Sequence, residues 1–179
     1  IEAFREAAPV GTRPRLIFEL LLGTGQRIGD VLRMRWDDIE DGGIKVRQGK
    51  TKLRLWVPLT RDLRAALDAA PRRGLTIVGD KNGQAVAYET AAHEMRALRK
   101  KIGAEAYDQH ALRYTAAAEL AALGCDDETI QAITGHTTRA MLVKYAGEAR
   151  QRARARAAAE ARDRRADQAR DGTGTEREF

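Results

Sequence analysis

The sequence is poor in cysteine and in long apolar segments. Cys125 is the only cysteine among 179 residues, which excludes an intramolecular disulfide and a metal site built from cysteines. No apolar run approaches the ~20 residues of a membrane-spanning helix, and no signal peptide stands at the start. These features together predict a protein of a reducing, cytoplasmic compartment.

Histidine is also scarce, whereas charged residues make up 32% of the chain. Two of the three histidines, His110 and His136, have no third metal ligand at matching spacing, so neither a metal site nor a cofactor is predicted. Lys and Arg number 32 against 26 Asp and Glu, which gives a net charge of +6. This modest excess suits a polyanionic partner but does not by itself establish one.

Apolar residues recur mainly at the spacing of one helical face. The pattern predicts helices over the stripe Leu16–Leu21, from Ile28 to about Trp36, and over Leu63–Ala70, Ala91–Ile102, Leu112–Leu123, Glu128–Thr134 and about Thr138–Tyr145.

Between the second and third of these helices the apolar period changes to two. Ile44 and Val46 alternate with polar residues, as do the apolar positions of the segment 53–57. This alternation predicts an antiparallel ribbon with Lys50 at its tip. A short third strand is expected near Leu75–Val78, ahead of the Asn82-Gly83 turn. The expected fold class is mainly α with a small antiparallel β-sheet (α+β).

Six polar residues have the chemistry that cleavage of a phosphodiester requires. The phosphate charge must be neutralised, a nucleophile supplied, and the departing oxygen protonated. Arginine suits the first task because its planar fork donates two hydrogen bonds to phosphate oxygens and stays charged. A tyrosine phenol, with a pKa near ~10, attacks only when a cationic pocket stabilises the phenolate. The candidate residues are Arg27, Lys50, His110, Arg113, His136 and Tyr145.

Each of these residues taken alone has an ordinary structural explanation, but the segments that hold them form an ordered set. The segments are Thr24-Gly25-Gln26-Arg27, Lys50 in the ribbon, His110-Ala111-Leu112-Arg113, Gly135-His136, and Tyr145 nine positions after His136. In order and spacing they resemble the catalytic domain of the tyrosine recombinases, the phage integrase family. The resemblance covers roughly Arg13 to Gly147, with two small departures at Asp30 and Tyr114.

The resemblance implies a tyrosine recombinase catalytic-domain fold and site-specific DNA recombination through a 3′-phosphotyrosine intermediate. Its implied roles are phosphate binding by Arg27 and Arg113, general acid catalysis by Lys50, and nucleophilic attack by Tyr145. His110 and His136 would aid phosphate binding and proton transfer. The implied partner is double-stranded DNA, bound by a homo-tetramer of a protein that is a monomer when free, with an origin in a phage or mobile element.

Two other functions remain open from the residues. A type IB topoisomerase-like DNA relaxase would use the same tyrosine chemistry, and a non-catalytic DNA-binding module would use the six residues only to grip the backbone. Both alternatives still require DNA as the partner.

The C-terminal tail differs in composition from the rest of the chain. Residues 1–149 are expected to form the catalytic domain, and the helical DNA-clamping domain that usually precedes it is expected to be absent from this fragment. Residues 150–170 are almost only Ala, Arg, Asp, Glu and Gln, which favours a helix that buries little surface. Residues 171–179 are expected to be disordered. The tail as a whole is interpreted as a solvated segment, a helix that docks on a neighbouring subunit, or a nucleic-acid arm.

Overall fold

Eight helices, one 3-10 turn and three short strands make up residues 1–172, the part of the chain that this computed structural model describes. Side chains at positions 139, 145, 169 and 171 lie outside the described set. The elements in chain order are α1 (Glu2–Ala7), α2 (Arg13–Thr24), α3 (Ile28–Val31), the 3-10 turn (Trp36–Asp38), β1 (Ile39–Glu40), β2 (Gly43–Arg47), β3 (Arg54–Pro58), α4 (Arg61–Asp68), α5 (Tyr88–Lys101), α6 (Ala111–Ala122), α7 (Asp127–Thr134) and α8 (Arg139–Gly172).

Helix α2 lies at the centre of the main core because residues 16–22 are all buried. The one charged residue among them, Glu19, accepts hydrogen bonds from Arg5 and Arg15. A buried carboxylate is tolerated only when cations and donors replace its lost water. Apolar side chains of α1, α4, α5 and the sheet pack around this helix.

A second, smaller core lies between α6, α7 and α8. It consists of Ala117, Ala121, Ile130, Leu142 and Ala146. Because alanine lets two helices approach closely, α6 and α8 are packed directly against each other along this seam. None of the helices within residues 1–172 has the apolar length needed to cross a lipid bilayer.

The predicted ribbon is present as β2 and β3, which pair antiparallel with Ile44 opposite Val57 and Arg47 opposite Arg54. Ile44 and Val46 point into the core, whereas Lys45 and Arg47 are exposed. The alternation thus fixes which face is buried. The turn between β2 and β3 carries Lys50, which is exposed.

Two predictions are wrong for the same reason: the second helix ends at Val31 and not near Trp36, and the segment near Leu75–Val78 is not a strand of the sheet. Residues 34–36 leave the helical path because they hydrogen-bond to residues 75–77, through Met34 and Ile77 and through Trp36 and Leu75. The segment near Leu75–Val78 therefore forms only an isolated bridge, and the third strand of the sheet is β1.

The helix predicted to end near Tyr145 and the helix favoured over residues 150–170 are one helix. Instead of breaking after Tyr145, α8 continues to Gly172. Its composition explains this, because Ala, Arg, Glu and Gln have high helix propensity and no proline interrupts them. Asp171 and Gly172 belong to this helix, whereas the remainder of the segment expected to be disordered lies outside the described residues.

Gly25 ends α2 in the left-handed conformation, with φ of +62°. A Cβ at this position would lie 2.9 Å from the Thr134 methyl carbon. We expect Gly25→Ala to lower the free energy of unfolding by about 1–2 kcal/mol from backbone strain alone. Urea unfolding measures the loss. The matched control is Gly147→Ala inside α8, where the nearest atom is 3.8 Å away and alanine is expected to stabilise the helix slightly.

Candidate active site

The structure places the six predicted residues at the ends of several elements. Arg27 caps the start of α3, Lys50 lies in the β2–β3 turn, His110 caps the start of α6, Arg113 lies in its first turn, His136 follows the glycine that ends α7, and Tyr145 lies in α8. We call the first five of these the basic cluster.

Arg113 is the most buried member, with 1% of its surface exposed. Its Nη1 donates to the carbonyl oxygens of Gly25 at 2.7 Å and Thr134 at 2.5 Å. Its Nη2 is buried without a hydrogen-bond partner. Burial, followed by repulsion from Arg27, lowers the pKa of Arg113 to about 10. One side of the guanidinium is therefore anchored to the ends of α2 and α7, whereas Nη2 on the other side has no acceptor.

His136 is held in a similar way, with 3% of its surface exposed. Its Nδ1 lies 2.7 Å from the Thr134 hydroxyl oxygen, whereas its Nε2 is buried without a partner. Burial, followed by the charges of Arg113 and Arg27, lowers the pKa of His136 to about 4. The imidazole is therefore neutral at physiological pH in the free protein.

Arg27 is positioned beside the buried carboxylate of Asp30. Arg27 Nη1 lies 4.0 Å from Asp30 Oδ2, and neither atom has a hydrogen-bond partner. Asp30 Oδ1 instead accepts from Arg33 at 2.5 Å and from the Gly49 backbone N–H at 2.8 Å. Asp30 thus connects the arginine at the start of α3 with the turn that carries Lys50.

Among the described residues, six buried polar side-chain atoms have no hydrogen-bond partner. Four of these six belong to the basic cluster or to Asp30 beside it. They are Arg27 Nη1, Asp30 Oδ2, Arg113 Nη2 and His136 Nε2. An unsatisfied buried polar group costs about 1–3 kcal/mol, so such a concentration is not expected from packing alone. Three of the four are nitrogens on basic side chains, and a bound phosphate would supply the acceptors that these nitrogens lack.

His110 and Lys50 lie on the open side of the same cluster. His110 is half-buried and makes an edge contact with the ring of Tyr114, at 4.7 Å between centroids. Burial lowers the pKa of His110; Asp108 opposes that effect, and Arg113, Arg27 and Lys50 add to it. Lys50 itself is exposed. The turn that carries it is tied to Asp30 by the Gly49 backbone N–H.

Tyr145 lies in α8, one turn after Leu142 and directly before Ala146, both of which are buried in the second core. Its side chain lies outside the described residues. The approach of the phenol to the basic cluster therefore stays a prediction.

The sequence reasoning missed a buried amide network beneath the cluster. Gln48 Nε2 donates to Gln26 Oε1 at 2.6 Å and to the Thr134 carbonyl at 2.9 Å, and Gln26 Nε2 donates to the Ile133 carbonyl at 2.9 Å. Both glutamines are fully buried. The one available signal was their position, since Gln26 directly precedes Arg27 and Gln48 stands two residues before Lys50.

Comparison with known proteins shows to which family the chain belongs. The model of the phage integrase family matches residues 1–152. The chain belongs to the phage integrase family. Tyrosine recombinase XerC of Rhodospirillum centenum is 33% identical over 153 residues, which cover 80% of this chain and 45% of XerC.

Solved structures of phage integrase relatives share the fold. XerA recombinase superposes with a TM-score of 0.70 at 26% identity, covering 81% of this chain and 57% of XerA. A lambda integrase dimer bound to a COC′ core site superposes with a TM-score of 0.67 at 26% identity, covering 81% of this chain and 56% of that one. The predicted fold class is confirmed. The chain spans less than half the length of the curated relatives that it matches first.

Proposed function

We propose that the chain is the catalytic domain of a site-specific DNA recombinase that cleaves and rejoins strands through a 3′-phosphotyrosine intermediate. The observation that carries this proposal is the group of buried nitrogens on Arg27, Arg113 and His136 that have no hydrogen-bond acceptor. Membership in the phage integrase family supports the same reaction. The proposed substrate is double-stranded DNA in the cytoplasm.

In the proposed reaction, Arg27 and Arg113 bind the two non-bridging oxygens of the scissile phosphate. The Tyr145 oxygen attacks phosphorus, an imidazole of the basic cluster accepts the phenol proton, and the bond from phosphorus to the 5′-oxygen breaks. Lys50 donates a proton to the departing oxygen, because an alkoxide is a poor leaving group. Two cations fixed before the reaction stabilise the charge that develops on the phosphate.

Rejoining is the same reaction in reverse. A 5′-hydroxyl attacks the phosphotyrosine, Lys50 accepts its proton, and the phenol leaves. Because one phosphodiester bond is exchanged for another, the energy of the broken bond is kept in the protein–DNA link. No metal ion or external energy source enters these steps.

Recombination requires more than one protomer, since strands of two duplexes are exchanged. One lambda integrase structure is a tetramer bound to a Holliday junction, with a TM-score of 0.63 and 28% identity to this chain. This similarity supports a tetramer of the protein on two DNA sites.

A covalent-capture experiment tests the proposal. The protein is incubated with a pool of nicked duplexes randomised around the scissile position, where loss of the short fragment prevents rejoining. We expect SDS-stable protein–DNA adducts with the wild-type protein and none with Tyr145→Phe, because phenylalanine has no nucleophilic oxygen. Sequencing the recovered DNA defines a preferred substrate for later assays.

The chain offers a matched control for this experiment, Tyr107→Phe, since Tyr107 is 68% exposed. This variant should form adducts at the wild-type level. Absence of adducts with the wild-type protein would favour a non-catalytic DNA-binding module. Persistence of adducts in Tyr145→Phe would assign the nucleophile to another residue. Relaxation of a supercoiled plasmid without joining of two sites would identify a relaxase instead.

A further inference from the structure

The side chain of Gln48 makes three hydrogen bonds inside the protein and uses both of its amide hydrogens. It is fully buried at the base of the β2–β3 turn. The two Nε2 hydrogens are donated to Gln26 Oε1 and to the Thr134 carbonyl, and Oε1 accepts from the Thr51 hydroxyl at 2.5 Å. We call Gln48, Gln26 and the Thr134 carbonyl the amide clamp.

The amide clamp joins the two halves of the proposed site. On one side, Gln48 belongs to the turn of Lys50, which its own backbone closes through hydrogen bonds with Leu53 and Lys52. On the other side, the Thr134 carbonyl also accepts from Arg113, and the Thr134 hydroxyl contacts His136. Thr134 therefore connects the turn of the proposed general acid with two proposed phosphate ligands, with Arg113 through its carbonyl and with His136 through its hydroxyl.

Two carbonyl acceptors determine the orientation of the Gln48 amide, and the Thr51 hydroxyl complements it. A flipped Gln48 would place its carbonyl oxygen against Gln26 Oε1 and the Thr134 carbonyl, which have no hydrogen to donate. With the hydroxyl of Thr51 donating to Oε1, the observed orientation satisfies every group, and Thr51 directly follows Lys50. Thr51 thus ties the oriented amide of Gln48 to the residue next to Lys50.

Gly135 directly precedes His136, and its lack of a side chain lets Gln48 approach the end of α7 closely. A Cβ at Gly135 would lie 2.3 Å from Gln48 Nε2, and the backbone there has φ of +68°. Only glycine fits both conditions without displacement. The clamp is therefore packed against the end of α7 with no space for Gln48 to shift.

We infer that Gln48, tied to the turn by Thr51, is a positioning residue that fixes Lys50 against the phosphate held by Arg113 and His136. This inference rests on the proposed strand-cleavage function. Removal of the Gln48 side chain leaves both carbonyl acceptors of Arg113 in place. The turn of Lys50, however, loses its hydrogen bond to the Thr134 carbonyl at the end of α7. It keeps the hydrogen bond from the Gly49 backbone N–H to Asp30. Protonation of the leaving group is the step that depends on this geometry.

A change of leaving group tests the inference directly. Single-turnover cleavage is measured on the duplex recovered by covalent capture and on the same duplex with sulfur replacing the bridging 5′-oxygen. A thiolate leaves without a proton, because a thiol has a pKa near ~8.5, far below that of an alcohol. Loss of correctly placed Lys50 therefore slows cleavage of the oxygen substrate and has little effect on the sulfur substrate.

On the oxygen substrate we expect Gln48→Ala to slow cleavage about 100-fold, the scale of a small misplacement of a catalytic group. Thr51→Val, which removes one hydroxyl without changing the volume, should slow it about tenfold, and Thr51→Ser should behave as wild type. On the sulfur substrate all three should cleave within about twofold of wild type, as should Lys50→Ala, in which the acid itself is absent.

Thr76→Val is the matched control, since its hydroxyl bonds the Val78 carbonyl at 3.3 Å in the loop before α5. It should cleave both substrates at the wild-type rate. Equal losses of Gln48→Ala and Thr51→Val on both substrates, or no loss on either, would overturn the inference. Failure of the wild-type protein to cleave either substrate would instead refute the proposed function.

Discussion

Replacing Arg113 with alanine is expected to slow DNA cleavage by about 1,000-fold or more. A preorganised donor to a developing charge contributes about 10²–10³ in rate, and an arginine on a transferring phosphoryl group about 10³–10⁵. Arg113 is preorganised in this sense, since Nη1 is fixed by two carbonyl oxygens while Nη2 is unpartnered. DNA affinity should fall less than about tenfold, because many other cations contact the backbone.

Two measurements separate this effect from loss of folding. Arg113 is the largest single charge that lowers the pKa of His136, so Arg113→Ala should raise that pKa toward its ordinary value, as followed by NMR of the imidazole. Arg13→Ala is the structural control, since Arg13 pairs with Glu94 away from the cluster. It should lower stability without changing the cleavage rate of the folded protein. Equal losses of cleavage and affinity in Arg113→Ala would assign Arg113 a gripping role only.

The parts of the fold that follow from local periodicity were predictable. The stripe of α2 and the alternation of β2 and β3 each need only a few neighbouring residues to specify buried faces. The end of α3 was not predictable in this way, because it depends on hydrogen bonds between residues 34–36 and 75–77. Long-range pairing of this kind overrides a continuing helical pattern.

The site shows the same division between local and long-range information. Ordered motifs predicted Arg27, Lys50, His110, Arg113 and His136; the structure places the two histidines close to Arg27 and Arg113, with Lys50 on a turn tied to Asp30. The motifs carry no sign that Arg113 is more buried than Arg27, or that Gln48 reaches Thr134 across 86 residues of sequence. A glutamine in a polar turn is normally exposed, and only the packing of α7 against β3 buries this one.

Acidification is expected to destabilise the free protein through His136. The pKa of His136 is about 4 in the folded chain and near ~6.5 when unfolded. Between these values the unfolded chain binds a proton that the folded chain does not, so stability falls as pH falls from about 6.5 to about 4. The loss attributable to His136 is on the order of 3 kcal/mol, with a contribution of the same sign from His110, whose pKa is also lowered.

Urea unfolding at several pH values, for wild type and His136→Gln, measures this contribution. Glutamine keeps a polar contact for Thr134 but does not titrate, so the variant should lose less stability between pH 6.5 and pH 4. Sulfate, whose charge is constant over this range, provides a second measurement. An anion among Arg27, Arg113 and His136 favours the imidazolium, so sulfate should stabilise wild type increasingly as pH falls, and His136→Gln with the weaker pH dependence that His110 alone leaves. Identical acid slopes for the two proteins would mean that the fold does not lower the pKa of His136 below its ordinary value, against the expectation from its burial beside Arg113 and Arg27.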